Sequence, residues 1–124
     1  MYASNIIRRV DELRPNSISG ESKAAWLARC DGQIYDRVIR NHEGAHCMRP
    51  FMGKTEMEAE YGEMMIKEPY DAIYDYYLMA QIDLTNGDWD HYENSMTLYN
   101  SALDEWARKW HREHMPCPGP KMRI

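Results

Sequence analysis

PYDAIYDYYLMAQIDLTNGDWDHYENSMTLYNSALDEWARKW, from Pro69 to Trp110, is the stretch that decides the fold. In its first part Ile73, Tyr77, Ala80 and Leu84 recur at helical spacing, and Tyr70, Tyr74 and Leu78 form a second stripe beside them. A helix that is apolar on two adjacent faces belongs at the centre of a bundle. Pro69 suits its first turn, where a missing N–H costs nothing. Asn86-Gly87 ends it with residues that accept the left-handed conformation. Asp88 then caps a further helix, Trp89 to His111, whose carboxylate-capped start is a standard way to satisfy unpaired backbone N–H groups. Tyr92, Met96, Tyr99, Leu103, Trp106 and Trp110 fall on one face of that helix. Asp90, Asn94, Thr97, Ser101, Asp104, Glu105 and Arg108 fall on the other. The short Asn-Gly-Asp link predicts an antiparallel αα-hairpin.

Upstream, a first helix is expected from Asn5 to Leu13, capped by Ser4, with Ile6, Val10 and Leu13 on one face and Ile7 beside them. Pro15-Asn16 stops it. A second helix is expected from Ser19 to Asn41, with Leu27, Cys30, Ile34 and Val38 as its stripe and Trp26 and Ile39 at the flanks. Gly32 falls inside that pattern and costs about 1 kcal/mol relative to Ala. It predicts either a bend or the close approach of another backbone. Residues 42–54, HEGAHCMRPFMGK, break the periodicity and read as an irregular connection. Thr55-Glu56-Met57-Glu58 has the form of a capping box, and residues 55–66 read equally as helix or strand. The last ten residues, MPCPGPKMRI, contain three prolines and are expected to be extended. They are either a loose tail or an arm that docks on a neighbouring subunit through Met122, Ile124, Lys121 and Arg123.

The expected architecture is therefore all-α: a small bundle of about four helices with an irregular middle segment. Residues 1–115 form one helical domain, and 116–124 form an extended Pro-rich tail. The length of 124 residues suits one domain. Tyr and Trp outnumber Phe thirteen to one, and ten Met are present; these side chains suit a core that borders water or a partner. No stretch reaches the roughly 20 apolar residues of a membrane span. Arg8, Arg9, Asp11 and Glu12 stand where a secretion signal would be apolar, so a reducing cytoplasm is expected. Cys30, Cys47 and Cys117 are too widely spaced for a disulfide framework.

Charge is segregated along the chain. Residues 1–54 carry +3, residues 55–104 carry −11 with Lys67 as their one base, and residues 105–124 carry +3. Opposite blocks of this kind meet inside one subunit or between neighbours.

Signals for chemistry are sparse. His42 and His46 are four apart, with Cys47 adjacent, and such a pair on a helix shares a metal. Gly44 makes the helix doubtful, and the other His pair, His111 and His114, joins only through folding. Cys47 beside His46 is a weak thiolate signal. The acids fall on polar helix faces rather than in a paired acid–base pattern. No phosphate loop or nucleophile motif is present. Arg108, Lys109 and Arg112, with His111 and His114, are the strongest basic cluster, and Trp106 and Trp110 beside them read as core. A sequence pI near 5.5 argues against specific DNA binding. No catalytic, cofactor or metal residue is assigned.

Two stretches, VDELRPNSISGESKAAWLARCDGQI (Val10–Ile34) and EPYDAIYDYYLMAQIDLTNGDWDHYENS (Glu68–Ser95), resemble small proteins encoded among the head-morphogenesis genes of phages and prophages of Gram-positive bacteria. These are head–tail connector, or adaptor, proteins. The resemblance runs from about residue 4 to residue 112 and is most specific in PYDxIYxYYLxAxIDxxNG, a pattern of packing residues. It implies an α-helical virion subunit that forms a ring under the portal, with DNA passing through without specific binding. It implies itself, portal and tail proteins as partners, no enzyme activity, no cofactor, and a place in the virion and in the host cytoplasm during assembly. The loop with HEGAHC is not part of the pattern. The alternatives are a small cytoplasmic interaction module, and a metal-binding enzyme built on His42 and His46.

Overall fold

The computed structural model describes residues 2–40, 42, 44–53 and 62–114. The expected capping box at 55–58 and the segment 115–124 lie outside the described residues. Four α-helices make an all-α bundle: α1 (Ala3–Leu13), α2 (Gly20–Ile34), α3 (Ala72–Thr85) and α4 (Trp89–Glu113). As its two apolar stripes predict, α3 is central and packs against all three others.

The start of α1 is set by tertiary contact rather than by Ser4, which lies inside the helix. Its N-cap is Tyr2, which makes no side-chain cap and forms an isolated antiparallel bridge with Glu63. The Ala3 N–H donates to the Gly62 carbonyl at 3.0 Å, satisfying one of the donors a helix start leaves unpaired. Ile6 and Val10 are fully buried, but Leu13 is 63% exposed. There Arg14, not Leu13, reaches α3. Leu84 is exposed for the matching reason: Asp83 takes the inward position at the end of α3.

Ser19 caps α2 by accepting from the Ser22 N–H at 3.2 Å. Leu27, Cys30 and Ile34 are buried as their spacing predicts. The helix meets no other backbone at Gly32, where the space beside that residue is open. It widens further on instead, into a π-helical turn at Tyr35–Ile39 closed by Arg40 N–H to the Tyr35 carbonyl. The extra residue in that turn lets the adjacent Val38 and Ile39 both face inward.

The connection that follows is irregular apart from a short 3-10 turn at Ala45–Cys47. Met64, Met65 and Ile66 are buried and belong to no helix. Pro69 does not open α3. It sits in the preceding turn, its peptide with Glu68 is cis, and the helix starts at Ala72. The Tyr70 N–H is already spent on the Lys67 carbonyl at 3.0 Å, so the turn forms a separate element. At the far end of α3, Gly87 (φ +76°) takes the left-handed conformation while Asn86 stays right-handed. Asp88 caps α4 through the His91 N–H at 3.3 Å. On α4, Tyr99, Trp106 and Trp110 are buried, and the predicted polar face is exposed throughout.

Candidate functional site

The buried carboxylates are where catalysis would first be sought. Asp31 is fully buried in the last turn of α2. It accepts from the Phe51 N–H at 2.9 Å, the Met65 N–H at 3.0 Å and the Tyr74 hydroxyl at 2.6 Å. The Tyr74 oxygen accepts in turn from the Ile66 N–H at 2.8 Å. Burial pushes the Asp31 carboxyl up, and its three donors pull the other way. Every donor is protein, so this carboxylate clips two loop segments and α3 onto α2. Sequence reading missed it by attending to Gly32 next door.

The remaining inward acids are held by cations of the N-terminal block. Arg9 bonds Asp75 at 2.6 Å and lies 3.4 Å from Asp71. Burial pushes Asp75 up while Arg9 pulls it down. Arg14 pairs with Asp83, which also accepts from Ser95 at 3.4 Å. Lys23, itself buried, bonds Asp11 at 2.6 Å. Opposite charge blocks therefore meet within one subunit along the α1–α3 contact. Cys30 is buried against the Tyr99 hydroxyl, and burial pushes its thiol up to about 12, which keeps it protonated and inert.

The histidines are brought together only in part. His42 stacks on His111, with ring centroids 4.5 Å apart. His114 is close enough for its charge to act on His42, and it contacts the connection at Gly44. A Cβ added to Gly44 would lie 2.9 Å from the His114 ring, and its φ of +84° suits glycine alone. Burial, followed by the charges of His111 and His114, holds His42 below the usual histidine range. The side chain of His46 is outside the described residues. Among the described residues, no three His, Cys, Asp or Glu side chains form a group that could hold a metal ion. Cys47 is exposed beside this turn.

The structure's open feature lies along the C-terminal half of α4. A cleft of about 250 Å³ lies between that half and the turn before α3. Trp106 and Trp110, one helical turn apart, stack with centroids 5.8 Å apart, and the His114 ring stacks on Trp110 at 3.5 Å. Met65 and Ile66 line the cleft beside them, and the turn Lys67–Tyr70 lines the opposite side. Lys109 lies 5.6 Å from the Tyr70 ring centroid and bonds Glu113 at 2.8 Å. Glu68 stands on the rim and has no cation partner among the described residues. The Trp110 indole N–H is buried and has no acceptor among the described residues. The cleft volume falls below the roughly 300–1,000 Å³ of small-molecule sites, so a few side chains of a peptide fit it better than a cofactor does.

Sequence reading placed Trp106 and Trp110 in the core, where they are, but missed that Tyr70 and the 67–70 turn leave their edge open. The basic cluster is dispersed. Arg108 lies 3.6 Å from Asp104, Lys109 turns to Glu113, and His111 to His42.

No helix among the described residues is long and apolar enough to cross a membrane. The chain matches no family model, no curated protein and no solved structure. The fold is an all-α bundle with a cleft lined in part by aromatic side chains.

Proposed function

We propose that the chain is a non-catalytic assembly subunit, and within that class a head–tail connector of a phage or prophage particle. It assembles as a ring under the portal, in the host cytoplasm and then in the virion. One observation carries the reading. The two stretches that resemble connector proteins supply the two halves of the buried polar contacts, Asp31 with Tyr74 and Arg14 with Asp83. The resembling residues are thus the ones that hold the bundle together, as a family pattern of packing residues requires.

A ring needs two different complementary surfaces on each subunit. Arg9, Arg14 and Lys23 are engaged within the chain. Exposed Arg8, Arg37, Arg49 and Arg112 form no ion pair among the described residues and remain for a neighbour, and the 115–124 segment adds Lys121 and Arg123. Exposed acids on α4 without an ion pair among the described residues, such as Asp90, Glu93 and Glu105, suit them. The same acids repel phosphate, which favours DNA passing without being gripped.

Native mass spectrometry with the portal protein encoded in the same genome tests the reading. An annular complex is expected. A chain that stays monomeric at every concentration and ignores the portal overturns it. The aromatic cleft favours a second reading, a small module that binds one peptide partner. That module gives a one-to-one complex and no ring.

A further inference from the structure

We propose that the link between α3 and α4 carries a latent modification site. Asn86-Gly87 closes spontaneously to a succinimide and reopens as an isoaspartyl residue, and the C-cap of α3 withholds that chemistry while the hairpin is folded. Asn-Gly occurs once in the chain, and both residues are exposed.

The reaction needs no enzyme and no partner. The Gly87 backbone nitrogen, giving its proton to water, attacks the side-chain carbonyl carbon of Asn86. A C–N bond forms, the side-chain nitrogen leaves as ammonia, and a five-membered imide results. Water then adds at one imide carbonyl. Opening at the side-chain carbonyl leaves an aspartyl residue. Opening at the main-chain carbonyl leaves an isoaspartyl residue, whose backbone is one methylene longer. Nothing is oxidised or reduced. Glycine after asparagine favours the attack, because no Cβ shields its nitrogen.

In the folded chain that nucleophile is occupied. Gly87 donates its N–H to the Leu84 carbonyl at 3.2 Å, and Asp88 donates to the Asp83 carbonyl at 2.9 Å. With Gly87 at φ +76° these two bonds make a paired helix C-cap. The Asn86 N–H is held as well, by the Ile82 carbonyl at 3.0 Å. Ring closure requires the Gly87 nitrogen to swing over the Asn86 Cβ, and at ψ −2° it is rotated well away from it. The cap is also anchored from below: Asp83 is buried and tied to Arg14 and Ser95. Reaction therefore waits for the link to open, and its rate follows the open fraction.

The product does not restore the link. An extra backbone methylene puts the Gly87 and Asp88 N–H groups out of register with their two carbonyls. The new carboxylate also joins Asp83, Asp88 and Asp90 in a stretch, residues 68–107, that holds no Lys or Arg. Like charges gathered in so short a link repel. A chain that has opened is thus marked, and its hairpin is weaker afterwards.

The test compares folded and unfolded protein. Full-length chain is incubated at mildly alkaline pH, once folded and once in urea, beside a synthetic peptide of residues 82–90. Peptide mapping by mass spectrometry follows conversion at each Asn, and isoaspartyl methyltransferase labelling identifies the product. Unfolded chain and peptide are expected to convert at one rate at Asn86, ahead of Asn16, Asn94 and Asn100, which precede Ser. The folded chain is expected to convert at least tenfold more slowly, the factor for an opening cost of about 1.4 kcal/mol. Asp88→Ala, which loosens the same turn from the α4 side, is expected to speed conversion about fivefold in the folded chain and leave the rate in urea unchanged. Equal rates folded and in urea overturn the guarding. So does an Asp88→Ala effect that is absent from the folded chain or equal in urea. Failure of the peptide and the unfolded chain to convert at Asn86 overturns the site. The isoaspartyl form, separated by ion exchange and refolded, is expected to melt below the unconverted chain, and an unchanged midpoint overturns the weakening.

Discussion

Asp31 and Trp110 are both buried, yet their polar atoms are treated in opposite ways. The Asp31 carboxylate has three protein donors around it, drawn from the 51 loop, the 65 segment and α3. The Trp110 N–H has no acceptor among the described residues, and its side chain borders an open cleft. The α1–α2–α3 junction pairs its charges within the chain, although the Arg9 Nε–H there is also buried without an acceptor among the described residues. The distal half of α4 is aromatic, stacked and incomplete. On the proposed reading a neighbour would meet the second region, and variants that break the first are expected to act on stability alone.

The largest effect is expected from Asp31→Ala. It leaves two backbone N–H groups and the Tyr74 hydroxyl buried and unpaired, at about 1–3 kcal/mol each before relaxation, or about 4 kcal/mol in sum. Urea unfolding measures it, and a loss under 1 kcal/mol would remove the carboxylate's claim to organise the junction. Arg14→Ala comes next. It strands Asp83, which is 2% exposed, with Ser95 as its remaining partner. About 2 kcal/mol is expected, below the full range for a broken buried pair because Arg14 is itself partly exposed. Asp88→Ala removes the α4 cap and is expected to cost about 1 kcal/mol. A shift in thermal midpoint reads it out, and equal loss in Asp88→Gly, a residue tolerated at N-caps, would argue against a capping role.

The smallest effect falls in the aromatic region and depends on pH. His42 titrates below its ordinary 6.5 in the folded chain. Between that lowered value and 6.5 the unfolded state binds the extra proton, so stability rises with pH across this window and falls on acidification. His42→Phe is expected to remove this slope, so that the wild-type and variant stability–pH profiles diverge as pH falls below 6.5. Parallel profiles would show that the His42–His111 stack is indifferent to charge.

The helices were largely legible because their stripes are repetitive: Leu27, Cys30 and Ile34 on α2, and Tyr99, Trp106 and Trp110 on α4, are buried where spacing puts them. The failures sit at helix ends. Ser4 yielded the cap position to Tyr2 because a strand-like contact with Glu63 and Gly62 fixes that end. Leu13 and Leu84 lost the interior to an ion pair between their neighbours, Arg14 and Asp83, and periodicity weighs apolar residues only. The cleft was legible in part. Its tryptophans stood out, but its opposite wall is the turn around Pro69, which sequence pattern assigned to the helix itself. Asp31 was invisible because its partners come from residues 51, 65 and 74, and no local pattern links them.

That scatter of partners has a consequence for how the chain acquires its shape over time. The α3–α4 hairpin closes across a link of a few residues, whereas the bonds to Asp31 join groups 20, 34 and 43 positions apart. Closing longer loops costs more entropy, so the hairpin is placed to form early and the carboxylate to be enclosed late. Removing the carboxylate should then leave the refolding rate nearly unchanged and speed unfolding. Asp31 would act as the latch that sets how long the finished subunit persists, rather than as the seed from which it grows.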